Sequence, residues 1–180
     1  MNIESLVTKL KSYSFSDEDM KRGMEGKTKI ICYPDLKDYK NINELLHPYD
    51  SVIILYLTSK NYGHWTCLFI NPNDDDNICY FDSYGGAPDN PLSYNSPQKN
   101  ISLGQDRKYL TMLMDSSPYN ISYNHFKLQK LAKNNSECGR YCILRLNLSY
   151  LSDKQFANLL KNNKNYDSDF WVTILTAFIN

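Results

Sequence analysis

Residues 63–86, "GHWTCLFINPNDDDNICYFDSYGG", hold two runs rich in β-branched and aromatic residues, "HWTCLFI" and "ICYFDSYGG", on either side of "NPNDDDN". Asn, Pro and Asp between strand-like runs are turn chemistry, so the spacing predicts an antiparallel hairpin. Pairing Ile70 with Ile78 sets Thr66 opposite Asp82, with His64 one step of two further along the same face. Because side chains alternate with a period of two, His64 and Asp82 share a face in every even register and part in every odd one. In the even register the carboxylate orients the imidazole and favours its protonated form, the base-and-orienter half of a triad. Taken singly, a His after Gly63 and an Asp before "SYGG" are ordinary turn-flanking residues.

Upstream of the hairpin, "SVIILYLT" is short, β-branched and continuously apolar, the pattern of a strand buried on both faces. Before it, Ile3, Leu6, Val7 and Leu10 recur at helical spacing, Ser16 is placed to cap a helix through "SDEDMKRGM", and "INELL" reads as one more short helix. Downstream, "QDRKYLTMLMDSS" has helical register and "YNISYNHFKLQ" alternates as an interrupted strand. Three further helices follow: one from Gly139 to about Leu151, "SDKQFANLLKNN" opened by Ser152, and "DSDFWVTILTAFIN" opened by Asp167 or Ser168. Helices on both sides of a strand-rich middle predict an α+β domain, and at 180 residues the chain reads as one domain spanning 1–180.

Composition fits that reading: 42% hydrophobic, 13% aromatic and 22% charged residues are values of a folded protein rather than a disordered one. Twenty basic residues against twenty acidic ones leave no formal charge to demand nucleic acid or an anionic membrane. Apolar runs such as "VIILYL" fall far short of the roughly 20 residues of a membrane span. The start "MNIESLVTKLKSYSF" lacks the long apolar core of a secretory signal, so the chain reads as intracellular. Five cysteines (Cys32, Cys67, Cys79, Cys138 and Cys142) make an odd and sparse set, read as reduced thiols.

Cys138 stands where a polar loop meets an apolar helix, in "NNSECGRYCILRL", with Asn135 or Ser136 as candidate cap. Three readings are open. A Cys beside an apolar helix is commonly a core thiol. His64, Cys67, Cys138 and Cys142 are zinc-ligand types, although His64 and Cys67 point to opposite faces of a strand and the pair on one helix is commonly core. A thiol in the first turn also feels the positive helix end, which stabilises thiolate, and a nucleophile there would have His64 as base and Asp82 as orienter. Gly139 would then let a substrate backbone approach the sulfur, with first-turn amides facing the oxyanion.

The series "GHW", then "YFDSYG" with Asp82 18 residues after His64, then a Gln ahead of "ECGRYC", resembles the adenovirus maturation protease (adenain) and the proteases of SUMO-like modifiers. It is more similar still to the capsid maturation proteases of virophages, Polinton-type elements and related large DNA viruses, in which "FDSYG..P", "Q....CGR" and a late segment like "DSDFWVTILT" recur. The resemblance implies a papain-like α+β fold of the adenain type, with a mixed central sheet packed on a buried helix that starts at the catalytic Cys. It makes Cys138 the nucleophile, His64 the general base and acid, Asp82 the orienter and Gln129 the side-chain donor of the oxyanion hole. The gap of nine residues from Gln129 to Cys138 is longer than in adenain. Trp65 matches an aromatic that covers the imidazole or anchors the core, and with Gly139 it would contact substrate.

The activity so implied is endopeptidase cleavage of viral capsid or other virion precursors at Gly-containing sites, by a monomer without metal or cofactor. Its place would be the virion, and during assembly the host cytoplasm or viral factory. Adenain is activated by a peptide and by DNA, and the neutral charge here gives no support for either. The rival expectations are an isopeptidase of ubiquitin-like conjugates and a non-enzymatic zinc-binding interaction module.

Overall fold

The computed structural model describes residues 2–131, 136–162 and 165–179. Its first part contains α1 (Ile3–Lys11), α2 (Asp17–Gly23), β1 (Lys29–Cys32), a 3-10 turn (Tyr33–Asp38) and α3 (Ile42–Leu46). The middle holds β2 (Ser51–Ser59), β3 (Tyr62–Asn71), β4 (Asp74–Phe81), a 3-10 turn (Asn90–Tyr94), α4 (Pro97–Ser102), α5 (Tyr109–Asp115) and β5 (Asn120–Tyr123). The last part is helical: α6 (Cys138–Asn147), α7 (Asp153–Lys161), α8 (Ser168–Leu175) and a final 3-10 turn. Among the described residues no helix is long and apolar enough to cross a membrane.

The fold is a mixed α+β architecture. Five strands form one sheet in the order β1-β2-β3-β4-β5, with parallel pairs at the two edges and the antiparallel β2-β3-β4 meander between them. In the hairpin, Ile70 pairs with Ile78 and Cys67 with Phe81, so the register is the even one and Thr66 falls opposite Asp82. β1 has no counterpart among the sequence expectations. Four half-buried residues carry little periodic signal, and this strand exists because Lys29 through Cys32 pair in parallel with Val52 through Leu55. "YNISYNHFKLQ" is strand only as far as Tyr123. There the Asn124 side chain takes over, accepting from Phe126 N–H at 2.9 Å and donating to the Asp82 carbonyl at 2.9 Å, a local pattern that competes with a ladder.

Alternation gives the sheet two buried faces. Ile53, Leu55, Trp65, Cys67, Phe69 and Phe81 face α6, with Met20 of α2, Phe156 of α7 and Val172 of α8 closing the layer. Val52, Ile54, Tyr56, Leu68, Ile78 and Tyr80 face the other way, under α3 and α5. β2 is therefore buried on both sides, which is why its sequence shows no alternation.

Caps explain the helix starts. Ser16 and Ser152 each make a capping box, with Asp19 and Gln155 respectively, and Asp167 caps α8. α6 departs from the expectation. Glu137 occupies its N-cap position with no side-chain cap, so Ser136 does not fill that role, and Asn135 lies outside the described residues. The Glu137 carboxyl is instead engaged by the Thr173 hydroxyl of α8. α6 itself ends near Asn147, earlier than the sequence suggests.

Every residue of α6 from Cys138 to Leu146 is buried, two arginines included. Arg140 lies 4.3 Å over the Phe15 ring and donates to the Thr176 hydroxyl and carbonyl and to the Leu10 carbonyl. Arg145 donates to the Leu148 and Leu151 carbonyls and to Asp153, 4.7 Å from the Phe69 ring. Such cations are tolerated in a core because carbonyls and ring faces replace their hydration. The consequence is a helix clamped along its length, with Cys138 at its first position.

Candidate active site

His64 lies near the start of β3 and Asp82 immediately after β4, so the hairpin brings them to one end of the sheet. His64 Nε2 and Asp82 Oδ1 are 2.8 Å apart, with His64 6% and Asp82 0% exposed. The same Oδ1 accepts the Tyr84 N–H at 2.9 Å, and the Asp82 carbonyl accepts the Gly85 N–H and the Asn124 amide. This brings the carboxylate and its turn under hydrogen-bond control, as an orienting group requires. Among the described residues Asp82 Oδ2 has no hydrogen-bond partner. Gly86 packs over it so closely that a Cβ there would stand 2.8 Å from Oδ2 and 2.9 Å from Asn90 Nδ2.

With Nε2 committed to Asp82, the imidazole nitrogen left for the thiol is Nδ1. Burial alone pushes the His64 imidazole down; hydrogen bonds to Asp82 and to Cys138, with the negative charge of both, outweigh burial and raise its pKa from 6.5 to about 10. An imidazole buried between a carboxylate and a sulfur has the neighbours that a thiolate–imidazolium pair requires. Cys138 Sγ also accepts the backbone N–H of Trp65 at 3.5 Å, and it sits at the positive end of α6.

Aromatic rings frame the base. Tyr84 stacks on His64 with centroids 4.9 Å apart, and Tyr94 meets it edge-on at 5.7 Å. Trp65 does not cover the imidazole. Neighbouring strand residues point to opposite faces, so its indole joins the α6 side of the sheet and donates to the Phe15 carbonyl at 3.2 Å. Trp65 still lines the cleft.

Gln129 is brought to the site by the loop after β5. Its backbone N–H donates to the Ser83 carbonyl at 3.0 Å, and its Oε1 accepts the Ser83 hydroxyl at 2.7 Å. Gln129, His64, Trp65, Tyr84, Tyr94 and Cys138 line one cleft of about 610 Å³. Gly139 stands apart from them. The room beside its Cα is occupied by Met20, Phe15 and Trp65, with Met20 Cε only 2.3 Å from where a Cβ would be, so its missing side chain serves packing rather than the cleft.

The zinc alternative finds no donor set. Among the described residues no three of His, Cys, Asp and Glu converge as metal ligands. Cys67 and Cys142 lie fully buried in the core, where burial raises the Cys142 thiol pKa well above its ordinary value.

Sequence reading passed over Ser83, Tyr84, Tyr94 and Asn124. The first two follow Asp82 in "FDSYG", which was the available signal. Tyr94 comes from a 3-10 turn whose approach to His64 nothing local announces.

No family model matches the chain. Over 166 residues it is 37% identical to "Uncharacterized protein V9" of Sputnik virophage, an alignment covering 91% of this chain and 94% of that one. Among solved structures, the ASFV pS273R protease superposes with a TM-score of 0.49 at 13% identity, over 92% of this chain and 67% of that one. The central domain of Lpg1148 from Legionella pneumophila gives 0.40 at 12% identity, over 92% and 97%. Both structural likenesses are distant, and the chemistry of the site rests on this chain's own geometry.

Proposed function

We propose that this chain, which belongs to the same family as the Sputnik virophage protein V9, is a papain-like cysteine endopeptidase of the adenain type that processes capsid or other virion precursors. The observation that carries the reading is the His64 imidazole held at 2.8 Å by Asp82 on one nitrogen, in the same cleft as Cys138, which stands at a helix start and accepts the backbone N–H of the neighbouring Trp65.

In this reaction the Cys138 thiolate attacks the scissile carbonyl carbon, forming an S–C bond and an oxyanion. The Cys138 N–H and the Gln129 side-chain amide donate to that oxygen. His64 gives its Nδ1 proton to the leaving amine as the C–N bond breaks, leaving a thioester and a neutral imidazole. Water then attacks the thioester, His64 takes its proton, the S–C bond breaks, and the acid and thiolate–imidazolium pair are restored. Asp82 holds the ring throughout without itself taking the proton.

The virophage relative supports a viral setting; the substrate we propose, from the resemblance of the motifs, is a virion protein cut at Gly-containing sites, in the virion or at the place of its assembly. Mass spectrometry of the co-produced major capsid protein, incubated with wild type and with Cys138→Ala, tests activity and reads the site together. Cleavage by wild type alone is the expected result; cleavage retained by Cys138→Ala would remove the assignment.

A further inference from the structure

Asp82, Ser83 and Tyr84 leave β4 consecutively, and each serves a different part of the site. Asp82 holds His64 Nε2, and Tyr84 stacks on the same ring. Ser83 turns to the other half, its hydroxyl donating to Gln129 Oε1 at 2.7 Å. Both groups are closed off from solvent, Ser83 at 0% and Gln129 at 5% exposure. The Ser83 carbonyl also accepts from Leu128 N–H at 2.9 Å and Gln129 N–H at 3.0 Å, so Gln129 is tied to Ser83 through both backbone and side chain.

A primary amide has two chemically opposite ends of nearly the same shape. Its NH2 stabilises an oxyanion, whereas its carbonyl oxygen in the same place repels one. A half-turn of the terminal torsion exchanges them, and steric packing does not choose between the two. The Ser83 hydroxyl distinguishes them. With Oε1 toward Ser83, the buried O–H is satisfied. With the amide reversed, the hydroxyl would accept from NH2 and its hydrogen would lose the acceptor it now has, at the cost of a buried hydrogen bond.

We propose that Ser83 is a positioning residue that favours the Gln129 amide with its oxygen toward Ser83, leaving NH2 as the end opposite, in the cleft that Gln129 shares with Cys138. "DSY" thereby organises both halves of the catalytic machinery: one residue for the base, the next for the oxyanion site. The inference rests on reading Gln129 as an oxyanion donor.

The test is a double-mutant cycle of Ser83→Ala and Gln129→Ala on the full chain, read with a peptide ending in Gly-Gly-aminomethylcoumarin. Gln129→Ala is expected to lower kcat about 10²–10³-fold. Ser83→Ala is expected to lower kcat about tenfold with KM and both limbs of the pH profile unmoved, because the lost orientation is felt only as the oxyanion forms. In the Gln129→Ala background, Ser83→Ala is expected to cost nothing further. A peptide aldehyde, whose hemithioacetal oxygen occupies the oxyanion position, should lose affinity for Ser83→Ala by the same factor as kcat. Ser83→Cys, which keeps the packing but donates weakly, guards against a folding artefact and should also lose kcat. If Gln129→Ala falls as stated while Ser83→Ala does not, or if Ser83→Ala costs the same in both backgrounds, this inference is overturned and the Gln129 reading stands. If Gln129→Ala keeps full activity, both fall.

Discussion

Replacing Asp82 by Asn keeps an acceptor next to His64 Nε2 and removes the charge. The contact being weakened is 2.8 Å long and buried on both sides. A hydrogen bond to a charged group contributes about 1.5–3 kcal/mol and a neutral one about 0.5–1.5, so the exchange removes on the order of 1–1.5 kcal/mol from the imidazolium. That is about one pKa unit. The His64 pKa stands at about 10 because the hydrogen bonds to Asp82 and Cys138 overcome burial; with the Asp82 charge gone, burial weighs more. In Asp82→Asn the alkaline limb of kcat/KM should therefore move down by about one unit, and the plateau rate should fall about tenfold. Asp82→Ala, which also frees the ring to rotate, should cost about 10²-fold or more.

The sign extends to stability. The His64 pKa is raised on folding, so its contribution is fully present below its ordinary value of 6.5 and is lost as pH rises through about 10. The difference in melting temperature between wild type and Asp82→Asn should accordingly be largest in mild acid and shrink toward pH 10. The assay is kcat/KM against pH, with the His64 ring followed by NMR. An alkaline limb and a rate both unchanged in Asp82→Asn would refute the role given to this carboxylate.

Two other perturbations read neighbouring parts of the site. Burial raises the Glu137 carboxyl from 4.5 to about 8, so its contribution to stability is complete below pH 4.5 and is lost as pH rises through about 8. Glu137→Gln should flatten that dependence, seen as a melting-temperature difference from wild type that changes across this window; a difference constant with pH would contradict the buried neutral acid. Gly86→Ala would drive a Cβ to within 2.8 Å of Asp82 Oδ2, and displacing the carboxylate should lower turnover at least tenfold with a smaller effect on thermal stability. Unchanged turnover would mean that the "GG" turn yields instead of Asp82.

The hairpin was the most legible part of the chain because parity is a discrete property. Once Ile70 faces Ile78, the face shared by His64 and Asp82 follows without any knowledge of packing. The apolar helix at Cys138 was legible for a similar reason, since nothing but burial accommodates "YCILRL". What escaped was whatever tertiary pairing creates. β1 is a strand only beside β2, and Tyr94 reaches His64 from a turn whose placement depends on its whole surroundings. Two local signals misled. Ser136 looked like a cap, but the Glu137 side chain is drawn to α8, and helix α6 starts without one. Gly139 looked like an opening for substrate, but in the folded chain that opening is filled by Met20 and Phe15. Composition does not distinguish a gap left for a ligand from one left for a methionine.

The two guanidinium groups inside α6 give the site an unusual dependence on distant chain. Arg140 is held by carbonyl and hydroxyl oxygens at Leu10 and Thr176, one near each end of the sequence, and Arg145 by the link into α7. The sulfur's position is thus underwritten by α1 and by the end of α8 at once. Loss of either anchor withdraws oxygens from a cation that has no water to turn to, and the strain falls on the helix that begins with Cys138.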